Sequence, residues 1–419
     1  MSKLKILQVC KKFPYPPKDG ESVAMFNMLR SLQKAGHEVV VMAMNTKKHY
    51  VELRSVPLSL RNKVEFHAVD VNTDVSLFGA LRNLLFSSKS YNIERFISSD
   101  FHTQLDFLLT NEIRSDRDPF DIIQLEGLYL TPYIDLIRQH SDAPIVLRAH
   151  NVEFEIWERL VEGEENPFKR VYFKVLAQRL KKFELAQIAG NRCDAIVPIT
   201  SRDGGSFKKL GAKIPIHAAT AGIDFDEIDK TPVKEEQPSV FFIGALDWKP
   251  NQDGLRWFLN SVWPKIHKRY PKVKFYIAGR RMPESFNDYA REDIVVLGEV
   301  DDAHKYMKSK SIMVVPLFSG SGMRIKIIEG MALKRPIVAT KVAIEGISYR
   351  QGEHLYVTDN ASEFADRVSL LIEKPAMAEI MGERAFAHVK RNFDNQAIIG
   401  RLVGFYEGLL AARQETKEE

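Results

Sequence analysis

Along the first fifty residues, apolar positions come in short unbroken runs that alternate with stretches of helical spacing. "LKILQV" is continuous, as a strand buried on both faces should be, and "CKKFPYPPKDGES" after it is punctuated by Pro and Gly. In "VAMFNMLRSLQKAG" the spacing of Phe26, Leu29, Leu32 and Ala35 predicts a helix stopped by Gly36, and "HEVVVMAM" predicts the next strand. Strand, helix and strand in this order imply right-handed crossovers and a parallel sheet covered on both faces. The same grammar returns after residue 238, with "SVFFIGAL" as strand, "DWKPNQDG" as loop, "LRWFLNSVWPKIHKRYP" as helix and "KVKFYIAG" as strand. Both loops close with Asp-Gly, at Asp19-Gly20 and Asp253-Gly254, which reads as an echo of two similar folds.

Further strands are predicted at "DIIQLEG", "APIVLRAH" and "CDAIVPIT" in the first half, and at "DIVVLGEV", "SIMVVPL" and "RPIVAT" in the second. Residues 152–189 read as one long charged helical stretch. Residues 229–238 carry charges and prolines without an apolar period, as a linker does. The division expected is a first doubly wound α/β domain over residues 1–228, the linker, a second over 239–392, and an amphipathic C-terminal helix over 393–419. A chain of 419 residues is long enough for two such cores.

Composition changes the picture little. Hydrophobic residues make up 45% and charged residues 27% of the chain, which fits a globular protein. A net charge of +5 argues against a dedicated nucleic-acid binder and leaves room for a local patch facing an anion or an acidic membrane. Cys10 and Cys193, both within apolar runs, read as buried thiols in a reducing cytoplasm. They are too few for a zinc site. The N-terminal apolar run stops at Lys11 and reads as a first strand, with no signal peptide expected. No stretch approaches the roughly 20 apolar residues that span a bilayer. Two basic, aromatic segments, 81–96 and 168–183, read either as an acceptor platform or interfacial helix touching acidic lipids, or as amphipathic helices whose basic faces are wet.

In an open parallel sheet, ligands collect at the carboxyl edge of the strands. There "VVPLFSGSGMRIKIIEGMALKRPIVAT", residues 314–340, runs from a strand into Ser-Gly-Ser-Gly and then places Arg324, Lys326 and Glu329 along one short helix. Gly320 and Gly322 allow close backbone approach, and a helix beginning near Met323 would aim free N–H groups at a phosphate or diphosphate. Arg324 and Lys326 add charge of the same sign, and Glu329 is placed to accept hydrogen bonds from sugar hydroxyls. The pattern describes a nucleotide sugar; the plainer alternative is a Gly-rich turn with a surface Lys-Glu pair. The absence of Gly-x-Gly-x-x-Gly after the first strand counts against an NAD-dependent dehydrogenase, and the absence of a Walker motif against an NTPase. Asp116-Asp118 and Asp301-Asp302 read as solvated turns, so no metal site is expected.

This stretch, with "VLGEVDD" before it and "AIEGI" after it, resembles the donor-binding segment of the retaining GT-B glycosyltransferases, family 4 in particular. "DGESVAMFNMLRSLQKAGHEVVV", "VLRAHNVEFEIWERL" and "FFIGALDWKPNQDGLRWF" resemble that family too. The resemblance implies two Rossmann-like domains facing a central cleft, with the C-terminal helix returning to the first. It implies transfer of a sugar from a nucleoside-diphosphate sugar to a glycan or lipid-linked acceptor, in cell-surface polysaccharide or lipid-linked glycan synthesis. No cofactor or metal is expected. Carried over by position, Gly20 would contact the donor, His150 is the active-site histidine, and Glu329 would hold the ribose. Asp19, Asn151 and Glu153 are placed as auxiliary acceptor residues. Donor contacts extend to Gly244, Lys249, Gly298, Gly320, Ser321, Gly322 and Met323, with Arg324 and Lys326 as phosphate cations. Ser321 stands where the family often has a glutamate, a departure that bears on the donor sugar. The rival readings are an inverting GT-B transferase using His150 or Glu153 as base, and a nucleotide-sugar-binding protein without catalysis.

Overall fold

A computed structural model describes residues 3–17, 19–114, 119–189, 192–220, 222–226, 228, 231–320 and 323–418. The chain forms two compact units, one comprising Met1–Thr220 with Ile398–Glu419, the other Ala221–Ala397.

The first unit contains strands β1 (Lys5–Cys10), β2 (Glu38–Thr46), β3 (Glu65–Val71), β4 (Ile122–Glu126), β5 (Ile145–Ala149) and β6 (Ala195–Pro198). They make one parallel sheet in the order β3-β2-β1-β4-β5-β6. β1, β4 and β5 are buried throughout because helices cover both faces. The helices that matter below are α1 (Gly20–Lys34), α2 (Leu77–Phe86), α3 (Glu153–Gly163) and α4 (Pro167–Ala189). Residues 152–189 are thus two helices and not one. Asn166 causes the break: its side chain accepts from the N–H groups of Phe168 and Lys169, and Pro167 takes the first helical position.

The second unit repeats the arrangement with β7 (Glu236–Ile243), β8 (Lys274–Ala278), β9 (Ile294–Gly298), β10 (Lys310–Val315), β11 (Ile337–Ala339) and β12 (Tyr356–Val357), ordered β12-β11-β10-β7-β8-β9. Here α5 (Lys249–Trp257), α6 (Ala303–Lys308) and α7 (Ile325–Ala332) position the site. β7 begins at Glu236, inside the stretch expected to link the domains, because Glu236 pairs in register with Lys310 on β10. Asp253-Gly254 does not close a loop. It lies within α5, where Gly254 packs so close to the chain that a Cβ would sit 1.5 Å from the Pro316 carbonyl oxygen.

The last helix, α8 (Asn395–Glu418), contributes Ile398, Ile399, Leu402, Val403 and Tyr406 to the first unit's core, against Ile6, Met25 and Val41 among others. No described helix is long and apolar enough to cross a membrane.

Candidate functional site

In each sheet the strand order reverses between two neighbours, β1 and β4 in the first and β7 and β10 in the second. Helices leave a doubly wound sheet in opposite directions at that point and open a crevice at the carboxyl edge. The second unit's crevice holds most of the residues expected to bind a donor. Lys326, on the first turn of α7 after β10, sends its Nζ 3.1 Å from the Ile243 carbonyl oxygen at the end of β7, and 3.2 Å from Asn251 Oδ1 on α5. Asn251 is fixed in turn by donating to Ala245 O. The ammonium also lies over the Phe242 ring at 4.6 Å. Gly244 makes room for it, since a Cβ there would stand 2.9 Å from Lys326 Nζ. Burial, with the neighbouring charge of Arg324, pushes Lys326 down to about 7.

Arg324 is not on the helix as the sequence suggested. It is the extended N-cap residue before Ile325, and its guanidinium lies 5.1 Å from the centre of the Trp248 ring. Burial lowers it below its ordinary value. Gly320 turns the chain beneath the same indole with φ of +106°, where a Cβ would meet Trp248 Cη2 at 2.6 Å and Arg324 Nη2 at 2.9 Å. That position requires glycine on both conformational and steric grounds. Met323 is half-buried against the β10–α7 core. Ser321 and Gly322 lie outside the described residues.

Glu329, one turn further along α7, stands 3.5 Å from His304 Nε2 on α6, and its carboxylate raises His304 above the usual imidazole range. The remaining donor residues are less central. Gly244 O is close enough to Gly279 that a Cβ there would meet it at 2.1 Å, and Gly279 N donates to Gly298 O at 2.7 Å. Gly298, with φ of +73°, therefore belongs to the same carboxyl edge but two strands from β7. Lys249 does not join the cations: its exposed ammonium pairs with Asp253 one turn along α5.

The first unit's crevice is a charge cluster. Asp19 is the N-cap of α1, closing a capping box with Ser22 and accepting from Lys12 Nζ at 2.8 and 2.9 Å. Gly20 opens that helix with free space around its α-carbon. Glu21 meets Lys11 at 2.8 Å and Lys12 at 2.9 Å; burial works against its charge, but Lys11, His150 and Lys12 hold it well below the usual carboxylate range. His150 follows β5, and its Nε2 is 2.7 Å from Glu126 Oε2 at the end of β4. Glu126, fully buried, also accepts from Gln8 at 2.7 Å and lies 3.4 Å from Arg148 Nε. Arg148 is only 1% exposed, so a fully buried charge pair sits directly under His150. Asn151 is half-buried in the bend after it. Glu153 is the first residue of α3; it accepts from Tyr129 Oη at 2.7 Å, while its N–H and that of Phe154 are capped by the Glu184 carboxyl. Burial, together with the charges of Glu153 and Glu155, pushes Glu184 up to about 8 despite those two hydrogen bonds.

The sequence reading missed Glu126, Arg148, Lys11 and Glu21 in the first unit, and Trp248, Asn251, Gly279 and His304 in the second. A charged residue inside a buried strand run, as in "IIQLE" or "IVLRA", is a signal that could have found the first two. His304 carries no such signal.

Residues 237–374, within the second unit, match the family described as glycosyl transferases group 1. A protein of Klebsiella pneumoniae, described as an uncharacterized 44.6 kDa protein in the cps region, is 22% identical, with 95% of this chain and 98% of that one covered. The phosphatidyl-myo-inositol mannosyltransferase of Mycobacterium leprae is 27% identical over 44% of this chain and 52% of its own length. Among solved structures, Anabaena HepE in complex with UDP superposes with a TM-score of 0.64 at 12% identity, covering 97% of this chain and all of that one (100%). The fold is therefore the two-domain, Rossmann-like GT-B fold. The class of protein that fold and family match define is a glycosyltransferase.

Proposed function

We propose that the protein is a retaining glycosyltransferase that moves a sugar from a nucleoside-diphosphate sugar to an acceptor hydroxyl. The observation that carries this reading is the gathering of Lys326, Arg324 and Gly320 at the second sheet's switch point. As the glycosyl–phosphate bond breaks, negative charge grows on the departing diphosphate. Two cations held in a partly buried crevice stabilise that charge more than they stabilise the bound donor. Glu329, 3.5 Å from His304 Nε2, is the acceptor for ribose hydroxyls. In the same-face route, the departing phosphate oxygen takes the acceptor's proton as the acceptor oxygen bonds to the anomeric carbon. That route asks the protein for leaving-group stabilisation and orientation, without a resident metal. The relatives named for UDP and for a mannosyltransferase reaction support the donor class. The relative in a cps region supports a role in polysaccharide or lipid-linked glycan synthesis.

A second reading has one observation in its favour. His150 Nε2 is engaged by Glu126, and Nδ1 has no hydrogen-bond partner among the described residues. A carboxylate-backed imidazole with a free nitrogen suits a general base, which an inverting transfer would use to take the acceptor's proton.

A thermal-shift screen against UDP, GDP, ADP and their sugar conjugates should identify the donor by a raised melting point. With that donor, Arg324→Ala and Glu329→Ala should each lower turnover by about a hundredfold, and chelation of divalent metal should leave it unchanged. Turnover unaffected in both variants would remove the site assignment. The anomeric configuration of the product, read by proton NMR, separates retention from inversion.

A further inference from the structure

The first unit presents an apolar helix face to water. On α2, Phe78, Leu81 and Leu85 fall at spacings of three and four residues and form one stripe, continued by Phe86. A helix of a globular domain normally turns that stripe inward. Here the inward positions are Ala80 and Asn83, and the large side chains point out: Phe78 is 78% and Phe86 84% exposed. The helix is held in this orientation. Arg179 of α4 donates to the carbonyl oxygens of Asn83 and Leu84, Ser76 caps its first turn, and Ala80 packs with Tyr91 and Leu176. The start of α4 behaves in the same way, with Phe168 85% exposed and Val171 exposed beside it.

Charge accompanies the apolar side chains. Residues 77–90 include Arg82 and Lys89 and no acid, and residues 167–182 include six cations and no acid. Of these, Arg179 is committed to α2 and Lys181 to Glu158, while Lys169, Arg170 and Lys174 are exposed. Acids border the face: Arg82 lies 3.8 Å from Glu94, Glu162 is in the last turn of α3, Glu164 and Glu165 are in the α3–α4 connection before Pro167, and Glu184 follows further along α4. A second copy of the chain would set this basic surface against itself, which like-charge repulsion disfavours. An anionic phospholipid surface complements both features at once, accepting the phenylalanines and leucines at the headgroup boundary and the ammonium and guanidinium groups at its phosphates.

We propose that α2 and the start of α4 form a docking face that seats the first unit on an anionic bilayer from one side. It acts independently of the donor site, so it can be tested without turnover. The full-length protein is floated with vesicles of phosphatidylcholine and phosphatidylglycerol, about three to one, and with phosphatidylcholine alone. The mixed vesicles should carry at least about tenfold more protein, and added salt should weaken the binding. A Phe78→Ser, Phe86→Ser, Phe168→Ser variant and a separate Lys169→Glu, Arg170→Glu variant should each lose about tenfold of that binding, with melting temperature and donor binding retained. Protein that stays unbound with mixed vesicles overturns the proposal, and so do variants that float like the parent. Sedimentation showing a dimer that the phenylalanine variant dissolves would also overturn it, in favour of a self-interface.

Discussion

Burial beneath Phe242 and the charge of Arg324 bring Lys326 to about 7, so near neutrality the free protein holds this side chain partly deprotonated. A diphosphate favours the charged form. Binding should therefore take up protons and tighten as the pH falls from about 8 to about 6. Calorimetric titration with the donor's nucleoside diphosphate in buffers of different ionisation enthalpy measures the uptake, and Lys326→Met should abolish the difference. The same shift has a sign for stability. In the unfolded chain the lysine titrates near 10.4, so between about 7 and 10 the unfolded state binds the extra proton, and the ligand-free fold gains stability as pH rises through that window. Much of this site was legible as residue types: "GSGMRIK" announced glycines and cations together. What the string did not show is that Lys326 reaches Ile243 and Asn251, 83 and 75 positions away.

At the scale of elements, close packing reverses a propensity rule. Alanine normally stabilises a helix interior over glycine by about 1 kcal/mol. Gly254 sits in α5 with backbone 1.5 Å from where a Cβ would go, and overpacking against a chain that cannot yield costs about 1–3 kcal/mol or more. Gly254→Ala should therefore be destabilised by about 2 kcal/mol or more in urea unfolding, while Gly404→Ala on α8, with open space around it, should gain up to about 1 kcal/mol. The strands β1, β2 and β4 to β11 were readable because each is a short apolar run bounded by loop residues. β3 alternates and is only half covered, and β12 has two residues, so neither stands out from its surroundings. The division between α3 and α4 was missed: Asn166-Pro167 is the local signal for it, but the charge-rich helical pattern on either side hid it.

At the scale of the whole chain, the last helix completes the first unit's core. Tyr406 Oη donates to Gln124 Oε1 in the buried polar row of Gln8, Gln124, Glu126 and Arg148, and Leu402 and Val403 lie in the same apolar cluster as Ile6 and Val41. A chain ending at residue 397 should lose hydrogen-exchange protection across β1 and β4 while β7 to β12 keep theirs. Tyr406→Phe alone, which leaves a buried acceptor without its donor, should lower stability by about 1–3 kcal/mol.

The sequence by itself determined the alternation of strands and helices, the repetition of that unit after residue 238, and the glycine–cation segment after β10. These are written in neighbouring residues, where strand runs, caps and turn residues act over a few positions. Only tertiary structure decided which strands are neighbours, and with them the pairs that give the sites their chemistry: Glu126 with His150, Glu329 with His304, Arg324 with Trp248, Tyr406 with Gln124. The reason is physical. Crossover topology places strands distant in sequence side by side at a switch point, and burial resets the charge of groups such as Lys326 there and Glu184 on α4 to values that no local pattern of residues encodes.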